Sequence, residues 1–324
     1  MATLKQVALQ ARCSVATASR VLNHSGPVSQ AAVLRVRRAA AEVGYRMMGA
    51  PPRSRRPVIG VLIPSITNPV FAASLSGIQN RMLAAGHSVL IAQSNYDPEQ
   101  ELYAVASLLG ERPTGLILTV CNGQTSRALQ QILPPTVLLN NLPTADFPSA
   151  VTVNNFEAGR KVTEYLLSMG HRRILFVSGD FRASDRASLR YQGYKQAMSQ
   201  FGAAGFPALE ISFVSGYDEI DLAQPISSMR PTAIIASNDL LALGVISAVR
   251  REGLRVPEDM SVVGFDGISI GRLTDPKLTT IEMPDASMGV TAASLLLDIA
   301  ENGAAPRHLE LDYVLRKGGT VSSI

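Results

Sequence analysis

Tryptophan is absent from this chain of 324 residues, aromatics make up 5 % of it, and it holds two cysteines and four histidines. Cys13 and Cys121 stand far apart, so no disulfide framework is written here. A reducing compartment with both thiols free is expected. His24, His87, His171 and His308 show no cluster and no metal-ligand spacing, and neither a metal nor another cofactor is expected. No apolar run reaches membrane length, and the N-terminus enters helix-forming sequence without a leader, as a cytoplasmic protein with no membrane partner would. The signatures GxGxxG, GxxxxGKS/T and HExxH are missing, and no histidine pairs with a nucleophile at the strand ends, so no catalytic residue is expected. Acid is nearly missing from residues 1 to 57, where Glu42 faces ten basic side chains: Lys5, Arg12, Arg20, Arg35, Arg37, Arg38, Arg46, Arg53, Arg55 and Arg56. From totals of 30 basic and 26 acidic residues, the remainder holds 20 and 25, so a net +4 divides into +9 and −5. A small basic head suits the phosphates of nucleic acid, and an acidic body does not.

That head has a pattern. Leu4, Val7, Ala8 and Ala11 recur at the spacing of one helix face, Arg12-Cys13-Ser14 interrupts, and the pattern resumes with Val15, Ala18, Val21 and Leu22. Ser14 is placed to cap the second helix. Two short helices about a tight turn leave the outer face of the second free, with Ala16, Thr17 and Arg20 on it. An arginine forks onto guanine O6 and N7, and a small residue permits close approach to a base edge. A plain three-helix bundle would show the same spacing, and the charge favours DNA. Ser29 caps a third helix over 30 to 44 with Val33, Val36, Ala40 and Val43 inward, stopped by Gly44.

Four features together resemble the LacI/GalR family of bacterial transcription regulators: the opening MATLKQVA, the run CSVATASRVLN, the pair Val28-Ser29, and a third helix ending Glu42-Val43-Gly44-Tyr45. The resemblance implies base reading by Val15, Ala16 and Arg20, and backbone contacts by Ser14, Thr17 and Asn23. Family members follow the head with a hinge helix whose leucines wedge into the minor groove. Here YRMMGAPPRSRRP is shorter, carries Pro51-Pro52 and offers no leucine. Either Met47 or Met48 serves as the wedge, or residues 47 to 57 are a basic linker whose Arg53, Arg55 and Arg56 touch phosphates. Both readings stand at this point.

From Val58 onward short apolar strands alternate with amphipathic helices. Strands are expected at 58–63, 88–93, 115–120, 136–140, 173–179, 208–214, 233–237, 261–266 and 311–316. Helices fall between them at 69–85, 98–110, 125–132, 156–169, 185–201, 218–229, 239–252 and 285–301. This is α/β sequence with parallel sheets flanked by helices, and two such lobes resemble a periplasmic sugar-binding protein. The expected organisation is a head over 1–46, a linker over 47–57 and a body over 58–324. Lobe 1 is expected over about 58–154 and 285–301, and lobe 2 over about 155–284 and 302–324, with the return crossing implied by the family.

Open parallel sheets bind ligands beyond the carboxyl ends of their strands. Those ends carry Asn68 and Phe71, Arg190 on the helix after 173–179, Asn238 and Asp239, and Asp266. Amides, carboxylates and one cation suit paired hydroxyls, and an aromatic covers a sugar's apolar face. The family resemblance implies effector contacts for Asn68, Phe71, Arg190, Asn238 and Asp266, with Arg190 as the one cationic group. Asn155 replaces a more usual aspartate and reads as a rim or structural residue. The expectation is a homodimeric repressor of carbohydrate or sugar-acid genes, associated with the nucleoid and released from operator DNA by a small sugar or sugar acid. Leu75, Ile78 and Met82 with helix 285–301 are the candidate dimer surface, or else core. A regulator that needs a co-repressor, and a sugar-binding protein without DNA function, are the alternatives; the basic head and the missing leader oppose the second.

Overall fold

The computed structural model describes residues 2–23, 25–45, 56–203, 205–212 and 216–324. The chain divides into two units, Met1–Arg56 and Pro57–Ile324.

In the first unit α1 (Leu4–Gln10), α2 (Val15–Asn23) and α3 (Gln30–Glu42) enclose Val7, Ala8, Ala18, Val21, Val36 and Ala39. Thr3 and Gln6 close a capping box on α1, with the Thr3 amide donating to Gln6 Oε1 at 2.7 Å. The turn into α2 passes through Arg12 at φ +49°. Ser14 Oγ accepts from the Thr17 amide at 3.0 Å, satisfying one of the donors that a helix start leaves unpaired. Ser29 caps α3 in the same manner.

The second unit begins with β1 (Val58–Ile63), α4 (Pro69–Ala84), β2 (Ser88–Gln93), α5 (Pro98–Gly110), β3 (Gly115–Leu118), β4 (Thr136–Leu139) and β5 (Ala150–Thr152). The chain then forms α6 (Asn155–Ser168), β6 (Ile174–Gly179), α7 (Asp185–Gln200), β7 (Leu209–Ile211), α8 (Ala223–Met229), β8 (Ala233–Ala236), α9 (Asp239–Arg251), β9 (Ser261–Asp266) and β10 (Thr279–Glu282). It closes with α10 (Asp285–Asn302), β11 (His308–Glu310) and β12 (Val314–Arg316). One sheet runs β11-β5-β4-β3-β1-β2 and is parallel throughout; the other runs β12-β10-β9-β8-β6-β7, with β12 antiparallel at its edge. Both repeat one winding, so the carboxyl ends of the two sheets supply comparable sets of loops. No helix among the described residues is long and apolar enough to cross a membrane.

Each lobe draws two helices together over glycine. A Cβ added to Gly193 of α7 would fall on the Phe156 carbonyl oxygen of α6, and one on Gly159 of α6 would fall on the Arg190 carbonyl oxygen of α7. Gly77 of α4 and Gly289 of α10 meet the facing backbone in the same way in the first lobe.

The structure corrects the expected layout. Residues 302–324 do not all belong to the second lobe: β11 pairs parallel with β5, so the last return to the second lobe comes after Glu310. The expected strand 311–316 is therefore a connection, Leu311–Tyr313, followed by β12. HLELDYVLR reads as one alternating run, and alternation carries no information about sheet membership. β5 and β10 escape the sequence pattern because AVT and TTIE each carry one large apolar residue. Residues 125–132 yield one 3-10 turn, Arg127–Gln130, and the helix expected from 218 begins at Ala223. Leu75, Ile78 and Met82 are core residues under the first sheet and not a dimer surface.

Candidate functional site

On the head, Ser14, Val15, Ala16, Arg20 and Asn23 are exposed, and Thr17 is half-buried with its hydroxyl 2.8 Å from that of Ser14. The opposite side of α2 packs Ala18, Val21 and Leu22 into the core. A basic helix therefore presents a short, small-residue face with one arginine, as major-groove reading requires. Arg55, together with His24, Met47, Met48, Pro51, Pro52 and Arg53, lies outside the described residues.

In the body, five of the six strand-end residues singled out in the sequence line one cavity between the lobes: Asn68 and Phe71 from the first, Arg190, Asn238 and Asp266 from the second. Asp239 does not line it; its carboxyl accepts from the Ile268 amide at 2.9 Å and the Thr280 hydroxyl at 2.6 Å. Its volume is about 50 Å³, room for a few waters. Asn68 and Asn238 are helix caps as well as wall residues. Asn68 Oδ1 accepts from the Val70 amide at 3.1 Å, and Asn238 Oδ1 accepts from the Leu241 amide at 2.8 Å. Asn68 Nδ2 donates to the Tyr96 hydroxyl at 3.1 Å, and Phe71 meets the Tyr96 ring edge-on. Asp266, which ends β9, has φ +102°, a strained geometry for a residue with a side chain.

Arg190 is fixed from several directions. Its Nε donates to Asn155 Oδ1 at 2.8 Å, and its Nη1 donates to the Ser237 carbonyl at 2.5 Å and to Asp266 Oδ1 at 3.2 Å. The guanidinium also lies 4.7 Å from the centre of the Phe265 ring. Asn155 is thus the residue that orients Arg190, a structural role. Burial pushes the Asp266 carboxyl above the ordinary range, and Arg190 opposes that shift. Next to it, burial and then Asp266 push the Asp239 carboxyl up to about 8.

Arg190 is not the one cation of the cleft, as the sequence suggested. Arg186, one helical turn earlier on α7, also lines it, and so do Tyr96, Asn140, Ser184, Ser237 and Asp285. The i, i+4 spacing of Arg186 and Arg190 is present in the sequence; Asp285 follows β10, whose TTIE carries one large apolar residue. The start of α7 also ties the lobes together. Asp185 Oδ2 accepts from the Gly123 amide at 3.1 Å and from Asn141 Nδ2 at 2.8 Å. The Asp185 amide donates to the Cys121 carbonyl at 2.9 Å, and Arg186 Nη1 donates to the Val120 carbonyl at 2.9 Å. These bonds form a latch between the second lobe and the loops after β3 and β4.

The pentapeptide Gly267-Ile268-Ser269-Ile270-Gly271 has the G-x-S-x-G spelling of a hydrolase elbow. Ser269 is exposed on a 3-10 turn, and no histidine lines the cavity, so the spelling has no chemistry behind it. No group of three His, Cys, Asp or Glu among the described residues is placed to hold a metal ion.

An exposed basic recognition helix and a polar cleft between two lobes are the parts of a DNA-binding protein that answers to a small molecule. Comparison with known proteins gives the same class. Residues 3–47 match the model of bacterial regulatory proteins of the lacI family, and residues 163–321 match that of the periplasmic binding protein-like domain. The HTH-type transcriptional repressor CytR of Escherichia coli (strain K12) is 34% identical over 332 residues, covering 97% of this chain and 95% of the relative. The ribose operon repressor of the same organism is 30% identical over 337 residues, covering 99% and 100%. Among solved structures, the lac repressor dimer bound to operator and the anti-inducer ONPF superposes with a TM-score of 0.75 at 26% identity, covering 99% of each chain. The chain belongs to the lacI family of bacterial regulatory proteins. It is a DNA-binding transcriptional repressor with a two-lobed effector-binding domain, and it is not an enzyme.

Proposed function

We propose that this repressor controls carbohydrate or sugar-acid genes and that a small sugar or sugar acid, held between the lobes by Asn68, Phe71, Arg190, Asn238 and Asp266, releases it from its operator. The supporting observation is the convergence of these five side chains on one cavity with Arg190 braced at its wall. The ribose operon repressor among its relatives agrees with a sugar ligand. On this reading the protein acts in the cytoplasm, bound to the nucleoid as a homodimer on a pseudo-palindromic operator. One recognition helix covers few base pairs, and two heads at fixed spacing supply the specificity. Val15, Ala16 and Arg20 read bases, while Ser14, Thr17, Asn23 and Arg55 contact the backbone. A ligand that binds the closed lobes better than the open ones shifts that equilibrium, and closure alters the spacing of the two heads.

The test is a gel shift of a duplex carrying the gene's own promoter, with and without candidate sugars. Release by a sugar supports induction, and tighter binding with the sugar would make it a co-repressor. Arg190→Ala should keep operator binding and lose the response. An Arg190→Ala protein that binds and responds like the parent places the effector site elsewhere.

A further inference from the structure

Three buried polar atoms of residues lining the cleft have no hydrogen-bond partner among the described residues: Asn140 Nδ2, Arg186 Nη2 and Ser237 Oγ. Their residues are 8%, 7% and 2% exposed. They come from both lobes: Asn140 follows β4, Arg186 lies in the first turn of α7, and Ser237 follows β8. Asn140 is held at φ +69°, a conformation that asparagine tolerates better than most side chains. A buried donor left unmade costs more than its bond returns when made. Two of these three atoms are donors only, and none is an acceptor only.

We propose that the effector is a polyhydroxy carboxylic acid, of the aldonic or uronic type, whose carboxylate is taken by Arg186 Nη2 and Asn140 Nδ2 while its hydroxyls meet Asp266 and Asp285. This rests on the cleft being the effector site. A hydroxyl that accepts from a donor must itself donate and needs a further acceptor; a carboxylate only accepts, so spare donors serve it without a further acceptor. A guanidinium–carboxylate bond is also roughly twice as strong as a neutral one. The charge on the ligand is limited by the neighbours. Asp185 already faces Arg186 at 3.2 Å and Asp266 faces Arg190, so a single negative charge fits better than the double charge of a phosphate ester. Burial and the nearby Asp266 hold the Asp285 carboxyl well above its usual range, which weakens its repulsion of an anion. Arg186 thereby has two duties: Nη1 holds the first lobe through the Val120 carbonyl, and Nη2 reads the ligand.

Calorimetric titration of the full-length protein with D-gluconate, D-glucuronate and D-ribonate, beside D-glucose and D-ribose, tests this. An acid should bind about tenfold or more tightly than its neutral counterpart. Arg186→Gln and Asn140→Asp should each lower the preference for the acid over its neutral counterpart by roughly 10- to 100-fold. Asn140→Asp leaves the Val120 bond in place, so it separates ligand reading from any loss of the latch, and circular dichroism checks that both variants are folded. Neutral sugars binding as well as the acids, or both variants losing acid and sugar alike, would overturn the proposal. If in that case Arg190→Ala abolishes the sugar binding, the cleft remains the effector site. Absence of binding by any of these acids and sugars would overturn the proposal and count against the sugar reading of the cleft as well.

Discussion

Removing the Asp185 carboxylate should let the two lobes part. The side chain accepts from the Gly123 amide and from Asn141 Nδ2, both on the opposite lobe, and is about one-fifth exposed. Hydrogen bonds to a charged acceptor are worth about 1.5–3 kcal/mol each, and discounting for partial exposure leaves about 2–4 kcal/mol for the pair. At about 1.4 kcal/mol per factor of ten, Asp185→Ala should shift the closed-to-open ratio by roughly 30- to 700-fold. The backbone bond from the Asp185 amide to Cys121 and the Arg186 bond to Val120 remain, so the lobes are loosened rather than freed. Hydrogen exchange at the Gly123 amide should accelerate, and small-angle scattering should report a larger radius of gyration. Because the chain contains no tryptophan, a single Phe181→Trp at the neighbouring cavity, which Tyr96 lines too, gives an unambiguous fluorescence reporter. A ligand selective for the closed form should bind Asp185→Ala more weakly, because less of the protein is competent to receive it. Unchanged Gly123 exchange and unchanged scattering would show that the latch does not hold the cleft.

Arg20→Ala should weaken operator binding by about 1–3 kcal/mol while leaving random DNA nearly untouched; equal losses on both duplexes in a gel shift would show that α2 does not read bases. The Asp239 carboxyl, pushed up to about 8 by burial and Asp266, keeps its proton in the folded state where the unfolded chain has lost it. Stability from this group is therefore fully present below the unfolded value near 4 and declines as pH rises toward 8. Urea unfolding at stepped pH should give a negative slope that flattens in Asp239→Asn; a parent with no slope refutes the reading. Gly159→Ala places a methyl against the Arg190 carbonyl and should cost about 1–3 kcal/mol through overpacking. It should weaken ligand binding too, since Arg190 moves with α7, and a variant with parental unfolding midpoint and affinity would contradict that close approach.

How much was visible beforehand follows from what sequence can encode. The head was legible residue by residue because its caps and its stripe are local: Ser14, Ser29, Val21 and Val36 announce themselves within a few positions. The five cleft residues were legible because strand ends point to a common edge in a parallel sheet. Arg186 is not marked by the strand-end pattern, because it stands on a helix face one turn before Arg190. The latch was not legible. Asp185 meets Gly123 and Asn141 only after two sheets have been built and faced, and no pattern near Asp185 records that meeting. The same holds for β11, whose partner Val151 lies far back along the chain.

The chain passes between the lobes three times, after β5, after β10 and after β11. β5 and β11 are neighbours in one sheet, and β10 and β12 in the other, so two of these tethers leave one sheet side by side and one of them arrives beside β10. Bodies joined by a single tether wander, whereas several short adjacent tethers suppress twist and slide and leave chiefly one rotation. On the proposed mechanism the stroke is therefore set by these tethers and not by what closes the lobes. Substitutions among the side chains of the cleft can retune which molecule is sensed while the delivered motion stays the same, so input and output of the switch can evolve on separate parts of the chain.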